Sequence, residues 1–227
     1  MIKENLERIR REVPEYVEII GAVKTRTPDE IKELIDAGIT IIGHNYVQEA
    51  EDTFEELGEY SGRVQWHMIG HLQKNKINKA LKIFNMIQTV DSFGCAEEIS
   101  SRSEKINKVM PILLEVNIGE ESSKTGIEPD YRVILETVQK ISLLSGVSLK
   151  GLMTMGPLTS DPKLLIPYFK NTRLIFDRLN SERVDNLNLK ILSMGMSDSY
   201  KIAIDEGSTM IRLGTILFGA RHKKTTL

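Results

Sequence analysis

Lys24 is the side chain in this sequence with the sharpest chemical potential. It closes the apolar run Ile19-Ile20-Gly21-Ala22-Val23, where its charge would be partly desolvated. Burial disfavours an ammonium and lowers a lysine pKa from its reference near 10.4. A neutral amine at such a point is competent to attack an aldehyde and form a Schiff base. The alternative is a strand-end lysine that snorkels into water, and position by itself leaves both readings open.

Two glycine-containing turns late in the chain point to an anion. Ser193-Met194-Gly195-Met196-Ser197 and Arg212-Leu213-Gly214-Thr215 each follow or end an apolar run. Gly195 and Gly214 let backbone N–H groups approach an anion closely. Ser193 and Thr215 add hydroxyls, and Ser197 is placed to cap a helix beginning at Asp198. The competing reading is that these glycines only shape tight turns. Arg212 remains charged and needs a partner, which is either a loop carboxylate or a ligand.

Other residues point away from chemistry. His67 and His71 are four residues apart, a metal-binding spacing on a helix, but Trp66 to Ile69 reads as strand and no metal site is expected. Cys95 has no basic or histidine neighbour in sequence and is read as inert. The methionines, Met153, Met155, Met194 and Met196 among them, read as core filler.

These residues need a scaffold that brings them together. A helix over 2–13 with an Ile2/Leu6/Ile9 stripe comes first and is stopped by Pro14. Short β-branched runs then alternate with amphipathic helices. Strands are expected at 17–23, 39–42, 64–69, 85–90, 110–116, 147–153, 189–192 and 209–213. Thr27-Pro28-Asp29-Glu30 carries a helix start with a capping box, and Gly38 its stop. Helices are further expected from Asn45 to Gly58, around Lys74 to Lys82, up to Ile106, on the Tyr131/Ile134/Leu135/Val138/Ile141 face, at 163–181 and at 198–206. Eight buried strands separated by helices predict a parallel sheet closed as a (β/α)₈ TIM-type barrel with an extra N-terminal helix, an α/β fold; an open doubly wound sheet is the alternative. No linker or composition break divides the chain, so one domain over 1–227 is expected. In a barrel, Lys24, His44-Asn45, His71, Asn117, Ser193 to Ser197 and Arg212 to Thr215 gather at the C-terminal face, where function sits.

Composition narrows the function classes. The chain has 227 residues, with 30 Lys+Arg against 32 Asp+Glu and a formal charge of −2. That balance carries no footprint for nucleic acid or an anionic membrane. One cysteine excludes an intrachain disulfide and a four-cysteine zinc site. The charged N-terminus lacks a signal-peptide centre, and no apolar run reaches membrane-span length. A cytoplasmic protein is expected.

At these same residues the chain resembles the pyridoxal-phosphate homeostasis protein family, whose barrel is like the N-terminal domain of alanine racemase, the type III fold of pyridoxal-phosphate proteins. The resemblance is carried by Ala22-Val23-Lys24-Thr25, Gly43 to Glu49 and Trp66 to Lys76. It continues through Val116-Asn117-Ile118, Lys124-Thr125-Gly126, Gly151-Leu152-Met153, Ser193 to Asp198, Gly207 to Thr215 and Phe218 to Arg221. The stretches 66–76 and 193–198 are the most specific. The resemblance implies that Lys24 holds pyridoxal 5′-phosphate as an internal aldimine. It also implies that Ser193, Gly214 and Thr215 bind the phosphate, that Arg212 contacts the pyridine nitrogen and that Asn45 lies near the ring. Val23 stands where the family usually has serine, and His44 where it has glutamate; His44 bears on the local charge.

The resemblance implies a non-catalytic binder involved in cofactor homeostasis and carriage. Its ligand would be pyridoxal phosphate, its recipients apo-enzymes that need the cofactor, and its expected state a monomer. An arginine cannot give up its proton to the pyridine nitrogen, so the ring would be a poor electron sink. The sequence runs only to Leu227, which leaves no room after Thr215 for the second domain that supplies a base in alanine racemase. A small amino-acid racemase is the alternative. A phosphosugar isomerase or aldolase using Lys24 without cofactor is a further one. Lys124 and Lys201 are additional amines that nothing in the sequence singles out.

Overall fold

The computed structural model describes residues 1–119, 125–157, 159–182 and 184–219. Lys124, Ala220 and Arg221 of the expected motifs lie outside the described residues. The elements run α1 (Ile2–Glu12), β1 (Glu18–Ala22), α2 (Pro28–Asp36), β2 (Ile41–His44), α3 (Val47–Leu57), β3 (Gln65–Met68), α4 (Ile77–Ile83), β4 (Met86–Val90), α5 (Phe93–Glu104), β5 (Met110–Glu115), α6 (Tyr131–Ser142), β6 (Val147–Met153), α7 (Pro162–Ser181), β7 (Ile191–Met196), α8 (Tyr200–Asp205), β8 (Met210–Leu213) and α9 (Thr215–Phe218).

All eight strands are parallel and neighbours in sequence are neighbours in space. The sheet closes where Ile20 of β1 lies beside Arg212 of β8. This is the barrel the alternation predicts, and it excludes the open sheet. Among the described residues, no helix is long and apolar enough to cross a membrane.

Local signals explain several boundaries. Thr27 Oγ1 accepts from the Glu30 N–H while the Glu30 carboxylate accepts from the Thr27 N–H, the expected capping box, with Pro28 in the first turn. Gly38 follows that helix at φ +97°, a conformation costly for residues with a Cβ. Asp130 caps α6 and Asp161 caps α7 through side-chain bonds to the first turn.

Two strands run later in the chain than expected: β2 spans Ile41–His44, so Gly43 and His44 are strand residues, and β7 is shifted likewise. β7 begins at Ile191 and runs to Met196, so Ser193 and Gly195 are strand residues. The apolar run stops at Leu192, but the ladder continues past it through Ser193 beside Met210 and Met196 beside Arg212, with a bulge between. Consequently α8 starts at Tyr200 with Ser199 at its N-cap position, and Ser197 does not cap it.

Most of the core lies between the barrel and its helices, where Leu6, Ile31, Trp66, Phe84, Ile134, Phe169 and Leu179 are buried. Inside the barrel Ile20, Ile41 and Met210 form one apolar cluster, and Met86, Leu113 and Met153 another. Barrel interiors are normally filled by such apolar residues. Here four buried polar residues interrupt them: His67, Gln88, Ser193 and Arg212.

Candidate functional site

The four buried polar residues form a continuous hydrogen-bonded chain across the barrel. Arg212 Nη1 donates to Ser193 Oγ at 2.7 Å, and Ser193 Oγ donates to Gln88 Oε1 at 2.8 Å. Gln88 Nε2 lies 3.0 Å from His67 Nδ1 and 3.2 Å from Met210 Sδ. With the amide donating, His67 accepts on Nδ1 and carries its proton on Nε2. Burial pulls the His67 pKa down to about 4, so the ring is neutral at physiological pH.

Arg212 is the upper end of this chain. Its second arm, Nη2, donates to the Thr154 carbonyl at 2.9 Å, so the partners holding the cation are neutral. Burial lowers its pKa from the ordinary value to about 10, opposed by the charge of Glu115. A buried cation among neutral partners is costly unless a ligand shares it.

Above Arg212 a cavity of about 210 Å³ opens at the C-terminal face of the barrel. Its walls are Lys24 and Arg26 after β1, Asn45 after β2, Met196 at the end of β7 with Ser197 and Asp198 after it, and Gly214 and Thr215 after β8, with Ile69 and Met155 as apolar flanks. A wider cavity of about 410 Å³ lies at the opposite end, against Arg10, Glu18 and Ile39. In barrels that end supports stability, whereas chemistry occupies the C-terminal face.

Five of the six expected residues therefore share one cavity: Lys24, Asn45, Arg212, Gly214 and Thr215. Ser193 does not. It is fully buried in β7, its hydroxyl is engaged by Arg212 and Gln88, and it is not among the residues lining the cavity. The hydroxyl beside the glycine turn is Ser197. Its Oγ accepts from the N–H groups of Gly214 at 3.3 Å and Ile216 at 3.4 Å. Two backbone donors converging on one oxygen mark a place where an anionic oxygen would be stabilised.

Lys24 sits in a tight turn. The Arg26 N–H donates to the Val23 carbonyl at 3.0 Å, closing the turn with Lys24 and Thr25 at its centre. Thr25 has φ +64°; for a β-branched residue this conformation costs about 1–2 kcal/mol. Its N–H donates to the Glu49 carboxylate of α3. Arg26 is pinned on the far side, through Nη2 to the Gly219 carbonyl at 2.8 Å and Nη1 to Glu30 at 3.3 Å. Arg26 was missed by sequence reasoning, although its place two residues beyond Lys24 was the available signal.

The two departures from the family pattern fall outside the cavity walls. Val23 is fully buried in the main core. His44 stacks on Trp66 with ring centroids 5.3 Å apart and planes 7° apart. Burial lowers its pKa to about 4, so it adds no charge at neutral pH. Among the described residues no cluster of histidine, cysteine and carboxylates suits a metal. Cys95 is buried, which pushes its thiol up to about 11 and keeps it protonated.

Comparisons with known proteins agree with this geometry. The family model for the N-terminal domain of alanine racemase matches residues 1–222. The chain is 38% identical over 203 residues to the pyridoxal phosphate homeostasis protein of Aquifex aeolicus, covering 89% of this chain and 86% of that one. It is 33% identical over 211 residues to the Escherichia coli protein of the same name, covering 92% and 87%. PipY of Synechococcus elongatus, solved with pyridoxal phosphate bound, superposes with TM-score 0.88 at 32% identity, over 96% of this chain and 100% of that one. Alanine racemase of Clostridium difficile shares the fold at TM-score 0.81 and 16% identity, over 99% of this chain and 57% of its own. By sequence over nearly its whole length, and by a fold that places the expected lysine and arginine in one cavity, this chain belongs to the pyridoxal phosphate homeostasis proteins of the alanine racemase N-terminal domain family.

Proposed function

We propose that this protein binds pyridoxal 5′-phosphate through Lys24 and serves intracellular cofactor homeostasis by holding and releasing the reactive aldehyde. The observation that carries the reading is the meeting of Lys24, the buried Arg212 cation and the Ser197/Gly214 turns around one cavity. When bound, the cofactor supplies an aldehyde that condenses reversibly with a lysine amine, with loss of water.

Each wall has a separate task. The phosphate end is formed by the Ser197 hydroxyl, which receives the Gly214 and Ile216 N–H groups, and by Thr215 beside it. Arg212, fixed by Ser193 and the Thr154 carbonyl, donates to the pyridine nitrogen and retains its own proton. Asn45 and the Ile69 and Met155 flanks border the ring. Lys24, Arg26 and Arg212 give the cavity a cationic lining that a phosphate and a pyridine nitrogen would complement, which is the sense in which these residues fit the cofactor.

The same arrangement favours carriage over catalysis. A guanidinium at the ring nitrogen leaves that nitrogen without a proton and weakens the ring as an electron sink. Among the described residues, the titratable groups lining the cavity are Lys24, Arg26, Asp198 and Arg212. Arginine does not serve as a base at neutral pH, which leaves few groups for the paired proton transfers a racemase requires. We place the protein in the cytoplasm as a monomer that passes its cofactor to apo-enzymes through exchange with their lysines.

The test is borohydride reduction of protein incubated with pyridoxal phosphate, followed by peptide mass spectrometry. A phosphopyridoxyl adduct on Lys24 supports the reading, and an adduct confined to other lysines overturns it. Incubation with L-amino acids in deuterated water examines catalysis: rapid exchange at the α-carbon would replace the carrier reading with the racemase one.

A further inference from the structure

We infer that Glu49 is a positioning residue for Lys24, acting through the backbone of Thr25; the inference rests on Lys24 being the cofactor lysine. The turn Val23–Arg26 is closed by the Arg26 N–H to Val23 carbonyl bond. A positive φ at the third residue of such a turn is where glycine is normally found, because any Cβ is crowded there. The chain instead has threonine, at φ +64°. Left to itself, that residue relaxes toward negative φ, and the Lys24–Thr25 peptide rotates with it.

The turn is held against that relaxation from outside. Glu49, in the first turn of α3, receives the Thr25 N–H on its carboxylate. This is a charge-assisted bond, of the stronger class. The flanks of the turn are fixed independently. The Val23 N–H donates to the Gly43 carbonyl of β2 at 3.0 Å, and the Arg26 guanidinium bonds the Gly219 carbonyl at 2.8 Å. With both ends immobile, the orientation of the central peptide sets the direction in which the Lys24 side chain leaves the backbone. Glu49 is absent from the cavity walls, and its bond to the Thr25 N–H is the link through which it reaches the lysine. By fixing that peptide it sets the direction in which the lysine leaves the turn toward the cavity.

This account makes the role of Glu49 conditional on the side chain at position 25. Glycine adopts positive φ without steric cost, so in a Thr25→Gly background the turn holds its shape without the carboxylate. The experiment is a double-mutant cycle read by spectrophotometric titration with pyridoxal phosphate, using the visible absorbance of the bound cofactor, with thermal melts of each apo protein as the folding control. Glu49→Ala is expected to weaken binding roughly tenfold, the loss of one charge-assisted hydrogen bond. Glu49→Gln, which keeps an acceptor at the same reach, should lose less. Thr25→Gly should bind nearly as the parent does, and Thr25→Gly/Glu49→Ala should recover most of the loss. An equal loss from Glu49→Ala in both backgrounds overturns the inference, because Glu49 would then act on the cofactor by another route. Unchanged binding in Glu49→Ala overturns it as well. Should Glu49→Ala not fold, the decision passes to Glu49→Gln and to the double variant: binding as weak in Thr25→Gly/Glu49→Gln as in Glu49→Gln overturns the inference, and recovery supports it. An absence of any phosphopyridoxyl adduct on Lys24 of the parent protein is a different result, which defeats the cofactor reading itself.

Discussion

Arg212 and Ser193 are joined by a 2.7 Å hydrogen bond inside the barrel, with Arg212 as donor and the Ser193 hydroxyl passing its own proton toward Gln88. The serine is thus a support beneath the cavity, whereas Ser197 stands at its wall. Removing each hydroxyl should have distinguishable effects. Ser193→Ala leaves a buried guanidinium arm and the Gln88 carbonyl oxygen short of a partner, costing about 1–3 kcal/mol of stability. It should weaken pyridoxal and pyridoxal phosphate binding by similar factors. Ser197→Ala should affect the phosphorylated compound more than pyridoxal. Titrations with both compounds decide; a phosphate-selective loss in Ser193→Ala would contradict the placement.

Lys24→Ala removes a half-buried side chain from a turn, so the apo protein should melt within about 0.5 kcal/mol of the parent. The rise in melting temperature that pyridoxal phosphate confers on the parent should vanish, since a ligand stabilises only in proportion to its binding. A variant that keeps that rise in full would show that the lysine is dispensable for binding.

Gly195 offers a test of the β7 end. It has φ +96°, and a Cβ there would lie 2.6 Å from Ala203 Cβ and 3.1 Å from Tyr200 Cα. Gly195→Ala combines backbone strain with a clash against α8 and should cost about 1–3 kcal/mol, visible as a lower urea midpoint. Gly214, whose Cβ would meet nothing closer than 3.5 Å, should tolerate alanine far better in stability.

Two buried histidines set an acid limit. Burial lowers both His44 and His67 to about 4 from 6.5. Above pH 6.5 both are neutral folded and unfolded, and neither affects stability. As pH falls from 6.5 toward 4, the unfolded chain takes up protons that the folded one refuses, so stability declines across that window. The loss is on the order of 3 kcal/mol per histidine by pH 4. Among the described residues neither ring nitrogen of His44 has a hydrogen-bond partner. His44→Phe, which keeps a ring against Trp66, should therefore raise the melting temperature more at pH 5 than at pH 7.5. Equal shifts at both values would argue against a buried neutral imidazole.

Much of this architecture could be read from the chain. The β-branched runs and their separating helices specify the barrel, and the Thr27-Pro28-Asp29-Glu30 start is realised bond for bond. Lys24, Asn45, Arg212, Gly214 and Thr215 converge because each follows or ends a strand. The failure at Ser193 has a specific cause. Hydropathy ends at Leu192, but backbone pairing does not, so a polar residue facing the barrel interior looks like a loop residue. The Arg212–Ser193–Gln88–His67 chain joins β7 and β8 to β3 and β4, with Gln88 and Ser193 105 residues apart, and no local pattern encodes such a partnership. Thr25 illustrates the same limit, because its left-handed backbone depends on Glu49, a carboxylate from a different helix.

The cavity draws its lysine from the first strand of the barrel and its arginine from the last, and those two strands pair only when the cylinder shuts, with Ile20 beside Arg212. During synthesis the amine therefore emerges early yet has no cradle until nearly the whole chain has left the ribosome. Nascent and partly folded forms lack the cavity, and any binding that needs both side chains becomes a property of the completed fold alone.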